Sequence, residues 1–336
     1  MNRRIVLAAR PHGEPRESDF RLEEAEIPAP GDGEVLLRIL YLSLDPYMRG
    51  RMNAGPSYAA PVELNAVMEG ATVSEVLASK APSLAPGDVV LSYTGWQEYA
   101  AAPAHMVRKL DPSAAPVTTA LGVLGMPGMT AYTGLLNIGR PKPGETVVVA
   151  AAAGAVGSAV GQIARIKGCR AVGIAGGPEK CGYVRNELEF EDCIDHRSPT
   201  FARELKAACP CGIDIYFENV GGAVLRAVVP LLNNFARVPL CGLVAQYNLS
   251  ALPPGPDWTP VLMTAALTKR LTIRGFIVSD FEAQRGEFYR EASAWFREGR
   301  IKYREDVVDG LENAVAAFQG LLLGRNFGKL LVRLGR

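Results

Sequence analysis

The feature that most constrains this chain is the stretch Val147–Gly157, which reads Val-Val-Val-Ala-Ala-Ala-Ala-Gly-Ala-Val-Gly. An apolar run that stops at small residues and continues as a helical pattern is typical of a nucleotide-binding strand-turn-helix. A small-residue turn alone is equally compatible with a purely structural bend. The apolar run before it, and the helix and second strand predicted after it, favour a dinucleotide site.

Three positions of this turn correspond to the glycines of the dinucleotide fingerprint: Ala152, Gly154 and Gly157. In that fingerprint the first residue makes a tight bend, the second lets the backbone approach a pyrophosphate, and the third lets helix and strand pack closely. Because a Cβ atom penalises the left-handed region, alanine at the first position predicts a bend with negative φ. A helix beginning near Ala155 would offer free N–H groups and its positive dipole end to the pyrophosphate.

The pattern of elements changes near Thr146. Residues 1 to about 125 are short apolar runs broken by proline and glycine, which predicts a β-rich domain. After Thr146 strands alternate with helices, which predicts parallel βαβ units in a doubly wound α/β sheet. The predicted strands are Arg3–Ala9, Glu34–Tyr41, Ala71–Leu77, Asp88–Tyr93, Val147–Ala151, Arg170–Ala175, Cys193–Asp195, Ile213–Glu218, Ala236–Leu243, Leu271–Phe276 and Leu330–Arg333, and the predicted helices are Ala155–Lys167, Pro178–Leu188, Phe201–Ala208, Ala223–Leu232 and Phe281–Glu298. We expect one domain over residues 1–125, completed by residues 300–336, and a second over residues 126–299.

The end of the second predicted strand of the α/β half indicates the cofactor. An NAD enzyme normally places Asp or Glu there to bind the ribose 2′-hydroxyl, and a carboxylate would repel a 2′-phosphate. This chain instead has Gly176 and Gly177, with Lys180 close behind and His196-Arg197 after the next strand. The space left by the glycines and the positive charge of the basic side chains suit a 2′-phosphate, which predicts NADPH as the cofactor. The alternative is that Lys180 and Arg197 are solvated surface charges.

Charge and cysteine content exclude several classes of protein. The 36 lysines and arginines nearly balance the 35 aspartates and glutamates, so the chain shows no electrostatic footprint for nucleic acid or anionic membrane, and a small-molecule partner is expected. No apolar run is long enough to span a bilayer. All six cysteines occur from Cys169 onward without a paired motif, which favours reduced thiols in a cytoplasmic protein. The segment before Cys169 offers only His12 and His105 as soft ligands, so we expect no metal site.

Five segments spread over nearly the whole chain carry a family resemblance: Leu42–Arg51, Gly125–Tyr132, Ala151–Gly157, Gly212–Gly222 and Asn326–Lys329. With them the chain resembles the zinc-independent medium-chain dehydrogenase/reductase superfamily, in the branch of leukotriene and prostaglandin reductases and alkenal double-bond reductases. The runs Asp-Pro-Tyr-Met-Arg-Gly and Glu-Asn-Val-Gly-Gly are specific to this branch. A likeness to the bacterial NADPH-dependent curcumin reductases rests on three further segments: Ala66–Val73, Tyr93–Gln97 and Leu252–Pro256.

The resemblance implies a GroES-like β-rich domain completed by C-terminal residues, a Rossmann domain, NADPH in the cleft between them, and a homodimer in which Rossmann sheets pair at an edge. Family members often have Tyr then Lys where this chain has His196-Arg197, which removes the tyrosine that would stack near the 2′-phosphate. The cofactor-binding residues implied are Thr130, Gly154, Ala155, Val156, Gly157, Gly177, Lys180, His196, Arg197, Asn219, Cys241, Gly242, Tyr247, Phe276, Ile277, Val278 and Asn326.

Reducing an α,β-unsaturated carbonyl requires hydride at the β-carbon, stabilised charge on the oxygen and a proton at the α-carbon. Without a metal, hydrogen-bond donors must meet the oxygen, and Tyr247 is the first choice as the acid; the alternative is a loop tyrosine used in packing. Tyr47 and Tyr58 are candidate substrate contacts, although Tyr47 could equally pack beneath the site. Arg49 and Arg51 either hold this loop or contact a cofactor phosphate.

The leading hypothesis is therefore an NADPH-dependent reductase of carbon–carbon double bonds in enones such as curcumin-like diarylheptanoids, 2-alkenals or 15-oxo-prostaglandin-like compounds. One alternative is a quinone reductase of the same fold. Another is a non-catalytic protein that binds NADPH.

Overall fold

The computed structural model describes residues 1–253 and 255–335. Pro254, which belongs to the segment Leu252–Pro256, and the terminal Arg336 lie outside the described residues. The chain divides into two compact units. The first unit comprises Met1–Leu121, Tyr247–Ser250 and Glu305–Arg336, and the second comprises Gly122–Gln246 and Ala251–Arg304.

The described residues form fifteen strands and nine α-helices. They are β1 (Asn2–Leu7), β2 (Phe20–Ala25), β3 (Glu34–Ser43), α1 (Met48–Arg51), β4 (Thr72–Ser79), β5 (Val89–Ser92), β6 (Tyr99–Pro103), β7 (Arg108–Lys109), α2 (Met126–Thr133), β8 (Thr146–Ala150), α3 (Ala155–Ile166), β9 (Arg170–Ala175), α4 (Pro178–Asn186), β10 (Asp192–Asp195), α5 (Phe201–Ala208), β11 (Ile213–Phe217), α6 (Gly222–Val228), β12 (Leu232–Leu240), α7 (Thr259–Lys269), β13 (Thr272–Gly275), α8 (Arg285–Arg297), β14 (Glu305–Asp309), α9 (Ala314–Leu322) and β15 (Lys329–Arg333).

The second unit contains a six-stranded sheet in the order β10-β9-β8-β11-β12-β13. Every neighbouring pair is parallel, and the chain order reverses between β8 and β11, as in doubly wound dinucleotide-binding sheets. All five residues of the central strand β8 are buried, which explains its continuous apolar run. The predicted Rossmann-type α/β fold is confirmed.

The first unit is built on a seven-stranded sheet in the order β14-β15-β3-β4-β5-β7, with β6 also pairing with β3. Strand β15 lies parallel to β14 and antiparallel to β3, so the C-terminal strand does rejoin the N-terminal β-structure. Lys329 of β15 reaches the loop after β3, where its buried Nζ lies 2.6 Å from Asp45 Oδ1. The predicted β-rich domain is confirmed.

Several sequence-based assignments differ from the structure, and three of these differences have a clear physical reason. Strand β12 begins at Leu232 rather than Ala236, because its register on β11 shifts and the polar Asn233 and Asn234 hide the start. The helix expected from Phe281 begins at Arg285, after a 3₁₀ segment in which Phe281 has non-helical torsions. Helix α7 was not predicted, because its apolar residues are spread around the helix instead of forming one buried stripe.

Candidate functional site in the two units

The turn after β8 contains a left-handed residue at Ala151, one position before Ala152, for which the sequence predicted a negative φ. Ala151 has a φ of 53°, whereas Ala152 stays outside the positive-φ region. A left-handed alanine costs roughly 1–2 kcal/mol, so the surrounding structure must hold it. The Ala152 N–H donates to the Ile174 carbonyl at 2.9 Å, which fixes the turn against β9.

Gly157 allows α3 to start close to this turn. A Cβ added at Gly157 would lie 2.3 Å from the Ala151 carbonyl oxygen, and one at Gly154 would lie 3.2 Å from the same atom. Gly154 caps α3, which begins at Ala155, so the N–H groups of the first turn, including that of Val156, have no intrahelical partners. The backbone therefore fits a pyrophosphate group.

Basic side chains surround the glycine turn at the end of β9. A Cβ added at Gly176 would lie 3.0 Å from His196 Nε2 and 3.1 Å from Arg197 Nε. Gly177 has a φ of 94°, and its N–H donates to Asp195 Oδ1 at 2.9 Å. The same carboxylate oxygen accepts the Arg197 N–H at 2.9 Å, so one aspartate holds the two chain segments together.

Lys180 and Arg197 supply most of the positive charge of this turn at neutral pH. Burial, followed by the charge of Arg197, lowers the pKa of His196, and Lys180 contributes in the same direction. These influences also show that the three basic groups lie near one another. Glu179 is exposed. The group has the charge and the donors to bind a 2′-phosphate.

Glu218 organises the next turn, a role that could not be assigned to it from its sequence motif. Its buried Oε1 accepts the N–H groups of Val220 and Gly221 at 2.7 and 2.9 Å, and its carbonyl accepts those of Cys241 and Gly242 at 2.9 and 3.1 Å. Burial raises the pKa of this carboxyl, and the backbone donors only partly offset the effect. The signal available in the sequence was a lone acid at the end of an apolar strand.

Asn219 connects this turn to the glycine turn after β8. Its Nδ2 donates to the Ala150 carbonyl at 2.8 Å, and its own carbonyl accepts the Val244 N–H at 3.2 Å. The structure therefore brings together Asn219, Cys241, Gly242 and the end of β8.

Other predicted cofactor residues are placed as follows. The buried Thr130 donates its hydroxyl to the Met126 carbonyl at 2.8 Å within α2. Phe276 is buried and packs edge-on against Phe217, with ring centroids 6.2 Å apart; Ile277 and Val278 continue the chain from it, half-buried. Asn326 belongs to the first unit, where its Nδ2 donates to the Gly328 carbonyl at 2.8 Å.

The first unit holds Tyr47 and Tyr58 near one charged pair. The Arg51 guanidinium carbon lies 4.3 Å from the Tyr58 ring centroid and 5.8 Å from that of Tyr47. Arg51 Nε lies 2.7 Å from Glu69 Oε1. Burial, followed by the charge of Asp45, raises the pKa of Tyr47 well above its ordinary value, so its hydroxyl stays protonated at neutral pH.

Tyr247 is half-buried and opens the short segment Tyr247–Ser250, which belongs to the first unit. It directly follows the 3₁₀ turn Val244–Gln246, in which the Ala245 N–H donates to the Val220 carbonyl at 3.0 Å. The candidate acid thus comes one residue after a turn that is anchored on the Asn219–Val220 segment.

Residues 1–253 and 255–335 contain neither a metal-ligand cluster nor a membrane-spanning helix. No group of three or more His, Cys, Asp or Glu side chains there could hold a metal ion. No helix within these ranges is long and apolar enough to cross a membrane.

Comparison with known proteins gives the class of enzyme first. A family model described as the N-terminal domain of oxidoreductase matches residues 3–110, and one described as zinc-binding dehydrogenase matches residues 155–298. The two matches fall on the β-rich and the α/β parts of the chain. Together they define a two-domain dehydrogenase of the alcohol dehydrogenase type.

Individual relatives define the branch. The chain is 55% identical to the NADPH-dependent curcumin reductase of Escherichia coli (strain K12), covering 99% of this chain and 96% of that protein. It is 42% identical to prostaglandin reductase 1 of Oryctolagus cuniculus, covering 95% and 89%. The crystal structure of CurA from Vibrio vulnificus in complex with NADPH matches with a TM-score of 0.96 and 53% identity over 99% of each chain. This chain belongs to the medium-chain dehydrogenase/reductase superfamily, in its prostaglandin reductase branch.

Proposed function

We propose that this protein is an NADPH-dependent reductase that saturates the carbon–carbon double bond of α,β-unsaturated ketones and aldehydes. The whole-chain similarity to an NADPH-dependent curcumin reductase is the observation that carries this proposal. The basic turn at the end of β9 supports it independently, because Gly176 and Gly177 stand where an NAD enzyme needs a carboxylate, and the Arg197 side chain lies beside Gly176. When bound, NADPH supplies the hydride.

The residues of the second unit bind and orient the cofactor in this proposal. The amides after Gly154 meet the pyrophosphate, and Lys180 and Arg197 meet the 2′-phosphate. Asn219, with Cys241 and Gly242, adjoins the ribose and nicotinamide. The remaining proposed contacts of the second unit are Thr130, Ala155, Val156, Gly157, Gly177, His196, Phe276, Ile277 and Val278, and those of the first unit are Tyr247 and Asn326.

The first unit provides the groups that act on the substrate. The Tyr247 hydroxyl would donate a hydrogen bond to the carbonyl oxygen of the substrate, where negative charge develops when hydride reaches the β-carbon. It would then supply the proton that the α-carbon takes up. Tyr47, whose raised pKa keeps its hydroxyl protonated, is suited to donate a second hydrogen bond. No metal is needed for these steps.

A substrate screen tests this function. The purified protein is assayed for NADPH oxidation with a diaryl enone, a 2-alkenal, a 15-oxo-enone and simple quinones, and loss of the double bond is verified by mass spectrometry. We expect the enones to react with higher kcat/KM than the quinones. Faster turnover of quinones would establish the quinone reductase instead, and tight NADPH binding without turnover of any acceptor would indicate a non-catalytic protein.

The proposed setting is the cytoplasm, supported by cysteines that are all unbridged. The proposed assembly is a homodimer formed along β13 and α7. All four residues of β13 are exposed, and an open strand edge is a template for pairing with another chain. Helix α7 also exposes Met263 at 61% and Leu267 at 78%. Two copies joined along this edge would cover both features.

Charged residues on α7 are expected to dissociate this dimer. The double variant Met263→Glu/Leu267→Glu should elute as a monomer in size-exclusion chromatography with light scattering, because two carboxylates per copy would be buried without partners. Met106→Glu, at a methionine of the first unit that is 65% exposed, is the matched control and should remain dimeric. If the double variant is still a dimer, the dimer interface does not include α7.

A further inference from the structure

Arg51 is a buried arginine that contacts both tyrosines proposed to bind the substrate. Its exposed fraction is 7%. The guanidinium lies over the Tyr58 ring, with the central carbon 4.3 Å from the ring centroid, and also faces Tyr47 at 5.8 Å. On the same group, Nε lies 2.7 Å from Glu69 Oε1. One planar cation thus contacts both candidate substrate tyrosines and one carboxylate.

Arg51 also anchors the segment that carries Tyr58. Residues 53–60 are all exposed and include no strand or helix. After this exposed segment, the Val62 N–H donates to the Arg51 carbonyl at 2.8 Å, and Arg51 Nη1 donates to the Ala59 carbonyl at 3.2 Å. Backbone and side chain of a single residue therefore hold the segment where it returns to the unit.

The geometry points to Arg51, held by Glu69, as the positioning residue that fixes Tyr58 and Tyr47 as an aromatic wall and thereby sets the preference for aromatic over short aliphatic enones. The Arg51 guanidinium lies against the Tyr58 ring, but Tyr58 is still 57% exposed. The exposed part of the ring can stack on an aryl group of the substrate. A planar guanidinium is suited to this stacking, whereas an ammonium is a compact point charge. A short 2-alkenal has no ring to stack and gains little from the wall.

This inference rests on the proposed function, because it assumes that enones bind at Tyr47 and Tyr58. Its test is therefore built on binding as well as turnover. The protein is loaded with NADP⁺, which has no hydride to transfer, and titrated with a diaryl enone and with a short 2-alkenal by calorimetry. The same variants are then assayed with NADPH for KM and kcat on both substrates.

The informative variants are Arg51→Met, Arg51→Lys and Glu69→Gln. Arg51→Met should lower the ratio of diaryl-enone to alkenal affinity about tenfold, because it removes the cation from the tyrosine faces. The loss should appear in KM for the diaryl enone more than in kcat. Arg51→Lys should recover part of the ratio, and Glu69→Gln should lower it about threefold, because Glu69 only orients the guanidinium.

Glu75→Gln is the matched control, since Glu75 forms an ion pair with Arg38 on the β3–β4 surface of the same unit. It should leave the ratio unchanged. Equal losses for both ligands, or a Glu69→Gln variant that behaves like the control, would overturn the inference. If Arg51→Met fails to fold, the affinity ratios of Arg51→Lys and Glu69→Gln test the inference instead. Arg51-dependent binding of an enone that is never reduced would overturn the proposed function alone, and reduction without Arg51 dependence would overturn this inference alone.

Discussion

Replacing Arg197 with alanine is expected to raise the KM for NADPH about 10–100-fold, because a hydrogen bond to a charged group contributes roughly 1.5–3 kcal/mol. The KM for NADH should stay within about twofold, since NADH has no 2′-phosphate for the side chain to meet. The structure places Arg197 Nε 3.1 Å from where a Cβ of Gly176 would lie, directly over the turn that follows β9. Steady-state kinetics with both cofactors measures the change.

Arg185 offers a control for this substitution. It lies on α4, beyond the glycine turn, and its Nη1 is 3.6 Å from Asp192 Oδ1. Arg185→Ala removes the same charge from the same unit and should change neither KM appreciably. If Arg197→Ala weakened NADPH and NADH by the same factor, Arg197 would be holding the turn together and not binding the 2′-phosphate.

Tyr247→Phe is expected to lower kcat about 10²–10³-fold, within the usual contribution of a positioned acid. Only the hydroxyl is lost, so the ring can keep its place in the segment Tyr247–Ser250. The dissociation constant for NADPH, measured by fluorescence titration, should change little. A kcat that persists would remove Tyr247 from the acid role and leave Tyr47 as the donor to test.

The control is Tyr99→Phe, at a half-buried tyrosine of β6 outside the proposed site. It should leave kcat and NADPH binding as they are. Equal losses of activity in the two variants would mean that removing a tyrosine hydroxyl acts on stability, which thermal unfolding of both variants would show.

Periodicity best predicted those elements of the α/β half that are fully buried or amphipathic, such as strand β8 and helices α3 and α5. The bounds predicted for β9 and α5 are those observed. Periodicity did not predict α7 or β14. The apolar residues of α7 are spread around the helix, and β14, at the edge of its sheet, shows only weak alternation of burial. Neither carries a one-sided apolar stripe for sequence reasoning to recognise.

The candidate site was predictable where one backbone requirement demands one residue type. Gly157 is such a position, because any Cβ there would meet the Ala151 carbonyl. The role of Glu218 and the contact of Arg51 with the Tyr58 ring were not predictable, because each depends on side chains and amides that only the folded chain brings together. The same holds for the left-handed φ of Ala151, which the neighbouring turn imposes on a residue that disfavours it.

Strand β15 ties the folding of the first unit to residues that are synthesised after the whole sheet of the second unit. It lies between β3 and β14, and its Lys329 pairs with Asp45, so β3, which leaves the ribosome early, must wait for β14 and β15. The sheet of the second unit uses only residues from Thr146 to Gly275 and can close while synthesis continues, as domains generally do. Until then the edge of β3 that β15 will occupy remains open to other chains. The half of the protein that is made first is therefore the half that finishes folding last.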